Sequence, residues 1–224
     1  MKQGFAGEII ATAATRELAR LVLLDAAHLQ EEEARSAERR AHRRGAPPPL
    51  PLYTLADTMW SFDRFGRTAA YCEALALNDA VSAKFIDAGH ILGSAAVVID
   101  IKEGATPRRI VFSGDVGSLG HPIVRDPAPP PLADYVVMET TYGDRLHRAL
   151  RDSAEELWQA VHETLQRGGN VIIPTFGLER SQEILFFLRE GVELGHLPQS
   201  LPVFLDSPMA ISTTKIMRRH PVLR

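Results

Sequence analysis

A single cysteine, Cys72, stands in 224 residues. No intrachain disulfide framework can form from it, and a reducing, cytoplasmic setting is the expectation. No apolar run approaches the ~18 residues of a membrane span. The longest, around Leu21-Val-Leu-Leu24, is broken at Asp25. The opening Met1-Lys-Gln-Gly-Phe-Ala-Gly-Glu8 carries no apolar signal region. A Gly-x-Ser-x-Gly elbow is missing, which argues against a serine hydrolase. No two of the eight histidines lie two positions apart, so there is no His-x-His pair. Excess charge is lacking too. The formal net charge is -3, so a polyanionic partner has to be held by a local basic patch or by metal ions.

What is present is an ordinary globular composition, 45% hydrophobic and 24% charged, long enough for one large or two small domains. Its most informative stretch is Phe85-Ile-Asp-Ala-Gly-His90-Ile-Leu-Gly-Ser-Ala95, followed by Ile110-Val-Phe-Ser-Gly-Asp115-Val-Gly117. Each half is a short apolar strand that stops at glycine and then presents one metal-grade side chain, His90 in the first and Asp115 in the second. A neutral imidazole and a carboxylate on neighbouring strand ends are what a hydrolytic zinc site requires. A third strand, Tyr135-Val-Val-Met-Glu139, ends in the same way on Glu139.

Periodicity orders the rest. Glu8 to Thr12 reads as a strand and Thr15 as the cap of a helix, with Leu18, Leu21, Val22 and Leu29 on one buried face. Its end, Glu31 to Arg44, runs from acids to arginines, an order that suits the helix dipole and reads as a solvated helix end. Pro47-Pro-Pro49 stops the helix. Thr54 caps a second, short helix to Phe62, while Gly66 to Asn78 shows no clear pattern. Strands are predicted at about 82–87, 95–101, 109–113 and 135–138. Glu103-Gly104 and Thr106-Pro107 turn between two of them, and Pro127 to Pro131 forms a rigid linker. From Asp152 the pattern alternates: helix 153–166 ended by Gly168-Gly169, strand 170–174, helix 179–190, strand 202–205, and a helix from about 209. Such alternation predicts a parallel sheet covered by helices.

The motifs Gly89-His90-Ile-Leu-Gly-Ser94, Ser113-Gly-Asp115 and Met138-Glu139-Thr-Thr-Tyr-Gly143, then Val171-Ile-Ile-Pro-Thr-Phe-Gly-Leu-Glu-Arg180-Ser-Gln-Glu183 and Leu205-Asp-Ser-Pro-Met-Ala210, resemble in order those of the metallo-β-lactamase superfamily. The branch they resemble is β-CASP, which includes RNA-processing nucleases. The resemblance implies an α/β fold: a partial metallo-β-lactamase αββα sandwich over 1–147, followed by the first half of a β-CASP domain, a parallel sheet flanked by helices, over 148–224. It implies two zinc ions in a longer parent, and hydrolysis of phosphodiester bonds in RNA through a metal-bridging hydroxide. His90 would bind the first zinc, Asp115 would bridge both, and Glu139 would be the catalytic acid that supports the metal chemistry. Tyr142 and His147 fit as structural supports.

Each residue has a plainer role open to it. His90 could be a hydrogen-bonding loop residue, Asp115 a turn former, and Glu139 a partner for nearby backbone and hydroxyl groups. Arg180 could contact a substrate phosphate at a helix N-terminus, or pair with Glu183 or Asp206. Ser207 could cap a helix or contact phosphate. Cys72 is assigned to packing, and His121 is not a zinc ligand on spacing grounds. The family's His-x-His-x-Asp-His motif would sit upstream of Met1 and its last histidine motifs beyond Arg224. The expectation is therefore an internal slice of a longer enzyme, with an incomplete metal site and no activity of its own. The expected partners are an RNA substrate, no membrane, and a second copy or a complementing chain. A reading from another class is a non-catalytic β-CASP scaffold in RNA processing. The coding sequence upstream of Met1 would discriminate between the two.

Overall fold

The computed structural model describes residues 4–44, 47, 50–102, 104 and 106–220. Pro48, Pro49 and Glu103, named above in the helix stop and the hairpin turn, lie outside the described residues. The fold is mixed α/β, a small parallel pair and a larger mixed sheet accompanied by helices. Two compact units divide it, Met1–Ala70 and Tyr71–Arg224. The boundary proposed at 147/148 rests on motifs and falls inside the second unit.

In the first unit, β1 (Ile9–Thr12) runs parallel to β2 (Phe65–Ala69). Glu8 braces the pair by accepting from the Arg67 backbone N–H at 2.5 Å and meeting its guanidinium at 2.9 Å, which holds the Glu8 carboxyl below the usual carboxylate range. Helix α1 (Ala13–Arg44) starts earlier than predicted. Its cap is Thr12, whose hydroxyl accepts from the Thr15 N–H at 3.2 Å, the spacing at which an N-cap oxygen reaches the third helical amide. Ala14, Leu18 and Ala27 of α1 are buried.

Helix α2 (Leu55–Ser61) begins at the predicted cap. Thr54 accepts from the Asp57 N–H at 3.1 Å, and Asp57 accepts in return from the Thr54 N–H at 2.9 Å, a reciprocal box. Thr54→Ala is expected to cost about 1 kcal/mol, read from the urea midpoint. Asp57→Ala on top of it should add a further loss, because its carboxylate serves a different amide, that of Thr54 itself.

In the second unit, β3 (Ala74–Ala76), β4 (Val81–Asp87), β5 (Ala95–Ile101), β6 (Arg108–Phe112) and β7 (Tyr135–Val137) lie side by side in chain order. All pairs are antiparallel except β6–β7. Period-two alternation buries Ile86, Ala96, Val98 and Val111 on one face. Strands β2 and β3 fill the stretch that showed no pattern in the sequence.

Three helices follow: α3 (Leu150–Gln166), α4 (Arg180–Glu193) and α5 (Pro208–Arg219). Ala154, Trp158 and Val161 of α3 pack with Leu188 of α4 and with Leu197. The strands predicted at 170–174 and 202–205 do not form: among the described residues neither segment joins a ladder. A strand exists only by pairing with a neighbour. These two segments instead line a cavity of about 370 Å³ together with Leu188 and Ser181. Ile172 and Phe204 are each 88% exposed. Among the described residues no helix is long and apolar enough to cross a membrane.

Candidate functional site

Strand β4 delivers the first candidate ligand. It ends at Asp87, whose carboxylate accepts from the Gly89 N–H at 2.9 Å and folds the chain back. Gly89 has φ +62, a conformation glycine adopts without the Cβ penalty. His90 and Ile91 then donate their backbone N–H groups to the Ser94 hydroxyl at 3.1 and 3.3 Å. The small residues noted in the sequence thus set a tight loop with the His90 ring partly exposed.

Strand β6 delivers the second. Ser113 donates its N–H to Val137 O at 2.9 Å, continuing the parallel pairing with β7. The next two residues, Gly114 and Asp115, leave the sheet. Immediately after the ligand the loop is gripped twice. Val116 donates to Glu139 Oε1 at 2.6 Å, and Gly117 donates to Ala88 O at 2.8 Å. His90 Nε2 and Asp115 Oδ2 face each other at 3.9 Å. Among the described residues no group of three or more His, Cys, Asp or Glu side chains gathers at metal-holding distance.

Glu139 is close behind this pair. The Val116 N–H first, and the Thr141 hydroxyl next, hold its carboxyl below the usual carboxylate range, with a smaller contribution from His90. A carboxylate kept ionised in this way grips amides well and is a poor proton donor. Its own N–H donates to the Ser113 hydroxyl at 3.1 Å, so strand ends β6 and β7 are cross-tied on both sides of Asp115.

Relatives of known name match most of this chain. Ribonuclease TTHA0252 of Thermus thermophilus is 39% identical over 209 residues, which cover 93% of this chain and 42% of that protein. Transcription termination factor FttA of Methanosarcina mazei is 31% identical over 224 residues, 98% of this chain and 32% of that protein. An RNase J-like protein of Methanocaldococcus jannaschii is 32% identical over 151 residues, 66% of this chain and 34% of that protein. The chain belongs to the β-CASP branch of the metallo-β-lactamase superfamily. It spans less than half the length of these relatives. No protein-family model matches it.

The remaining β-CASP motif residues distribute unevenly. His121, Glu139, Tyr142, His147 and Arg180 all line one cavity of about 900 Å³. Tyr142 and His147 pack edge to face with ring centroids 4.5 Å apart. Arg180 pairs with Glu183, one of the two acids open to it in the sequence. Ser207 is the N-cap of α5 and accepts from the Ala210 N–H at 3.2 Å. Cys72 is exposed and has φ 65, so it is a turn residue more than a packed one.

Three contacts escaped sequence reading. Gly117 holds the two ligand loops against each other. Glu183, only 3% exposed, receives His121 Nδ1 at 2.6 Å. Glu179 reaches across to the His90 loop, where its Oε2 accepts from the Leu92 N–H at 3.3 Å. Burial, opposed by that N–H and reinforced by the Glu183 charge, pushes the Glu179 carboxyl up to about 7. The signal available in the sequence was the spacing of Glu179 and Glu183, four residues apart at a helix start and hence on one face.

Proposed function

We propose that the chain forms part of a zinc-dependent hydrolase of the β-CASP ribonuclease type, acting on phosphodiester bonds in RNA. The observation that carries this reading is the meeting of His90 and Asp115 at 3.9 Å on two adjacent strand-end loops. RNA as substrate is supported by the names of the relatives, which include a ribonuclease and an RNase J-like protein.

An imidazole nitrogen and a carboxylate oxygen are donors that suit zinc. On this reading His90 and Asp115 would be among the residues that hold the metal, and bound zinc would supply an acidified water and neutralise charge on the phosphate. The chain's own residues orient and support. Glu139 fixes the loop at Asp115 and presents a carboxylate to the same cavity as Arg180. Arg180 offers its guanidinium to a substrate phosphate by exchanging it for the Glu183 contact. Ser207 is the second proposed phosphate contact, available to the extent that it leaves its cap. Tyr142 and His147 shape the cavity wall.

His90 and Asp115 alone would hold zinc weakly, because catalytic zinc ordinarily takes three protein ligands. The isolated chain is therefore inactive, or acts with a second copy or a complementing chain. Elemental analysis after dialysis against metal-free buffer should give well under two zinc ions per chain. His90→Ala and Asp115→Ala should each weaken what binding remains by at least about tenfold, read by competition with a chromophoric chelator. Zinc binding that neither variant weakens would rule out the metal assignment. RNA cleavage by the isolated chain, abolished by Asp115→Ala, would rule out its inactivity.

A further inference from the structure

The start of α4 is built under strain. Glu179 has φ 62 and ψ -57, and Arg180 donates its N–H to Leu178 O at 2.7 Å across it. This is the γ-turn of positive φ, a rare and strained conformation for a non-glycine residue. Such a turn persists only where surrounding contacts over-determine it. Here it turns the Glu179 side chain back from the helix to the Leu92 N–H, two residues past His90. Among the described residues its other oxygen, Oε1, is buried with no hydrogen-bond partner, so this carboxylate is not placed for its own comfort.

One helical turn on, Glu183 performs a parallel task. Its carboxylate is nearly sealed from solvent and divides its oxygens, Oε1 to His121 Nδ1 at 2.6 Å and Oε2 to the Arg180 guanidinium. His121 lies six residues past Asp115 on the loop that leaves β6. The two loops also touch each other directly, through the Gly117 N–H and Ala88 O at 2.8 Å.

We infer that Glu179 and Glu183 are positioning residues: from the first turn of α4, one carboxylate holds the loop of His90 and the other holds the loop of Asp115. The helix then fixes the separation of the two candidate ligands from outside the sheet that bears them. This inference depends on the reading of His90 and Asp115 as metal ligands for its functional meaning, but the contacts themselves need no metal.

The test is hydrogen–deuterium exchange on the full chain in metal-free buffer, paired with zinc competition on the same samples. Glu179→Gly removes the carboxylate and relieves the turn, so α4 should keep its own protection. Exchange in 89–94 should rise about tenfold or more while 116–123 and the strands β4 and β5 stay unchanged. His121→Phe removes the Glu183 contact without touching α4 and should do the reverse, raising exchange in 116–123 alone. Glu183→Gln, which keeps an acceptor for His121, should stay close to the parent. Zinc affinity should fall about tenfold in Glu179→Gly and His121→Phe and be retained in Glu183→Gln. Unchanged exchange in both loops, with α4 still protected, overturns the inference. Loop-specific exchange with unaltered zinc affinity supports the positioning and removes the metal assignment instead.

Discussion

Gly117→Ala is expected to break the candidate site more thoroughly than loss of any one of its side chains. A Cβ at this position would lie 1.7 Å from Gly89 O and 2.8 Å from His90 N. Both neighbours are backbone, so no rotamer change can make room. The loops must part, and with them goes the Gly117 N–H bond to Ala88 O. Overpacking of this kind costs about 1–3 kcal/mol, and a lost hydrogen bond adds about 1 kcal/mol. The urea midpoint should fall accordingly, and zinc affinity should drop to that of His90→Ala or below. Gly143→Ala is the control. Its Cβ would meet nothing closer than 3.4 Å, and stability should move by no more than about 0.5 kcal/mol. Equal effects from the two variants would show that the close approach of the loops has no bearing on the site.

The same residues explain what the sequence could and could not reveal. His90, Asp115 and Glu139 were legible because each follows a short apolar strand, the first two directly after a glycine, a pattern local to about ten positions. The antiparallel pairing of β5 and β6 was legible for a similar reason, since a polar turn between apolar runs implies a hairpin. Strands β2 and β3 were not. Phe65–Ala69 pairs in parallel with Ile9–Thr12, across the whole of α1, and its only alternation is a buried residue at each end. The α1 cap was misassigned because Thr12 and Thr15 offer the same hydroxyl chemistry three residues apart, and only backbone geometry decides between them. For 170–174 and 202–205 the apolar content was read correctly and the state was not, because pairing is a property of the neighbour and not of the segment. The grip of Glu179 on Leu92 spans 87 residues and follows from a strained turn that no local propensity favours.

Trp158→Ala is expected to give the largest loss of stability in the chain. The ring is 2% exposed, and its Nε1 donates to Phe187 O at 2.7 Å. One face lies parallel to His196 at 4.8 Å and Arg151 sits 5.0 Å from the ring centroid. Gly191 is a glycine because the indole occupies its side-chain space: a Cβ there would stand 2.6 Å from the ring. Truncation leaves a void that α3 and α4 cannot close without losing the contacts of Val161, Leu188 and Leu197, and it removes the indole bond to Phe187 O. Large aromatic truncations in such cores cost about 3–5 kcal/mol, a large share of the stability of an ordinary domain. Trp60→Ala should cost no more than about 0.5 kcal/mol, since Trp60 is 68% exposed. The consequence reaches the site as well. Helix α4 carries Glu179 and Glu183, and it is held in place by this tryptophan. Trp158→Ala should therefore raise exchange in both loops, 89–94 and 116–123, where Glu179→Gly and His121→Phe each raise only one. Trp158→Phe, which keeps the volume of one ring and loses the bond to Phe187 O, should fall between the parent and the alanine variant in stability while leaving both loops protected. A large stability loss in Trp158→Ala with both loops still protected would mean that α4 is held by its loop contacts, and that the helix core is a separate element.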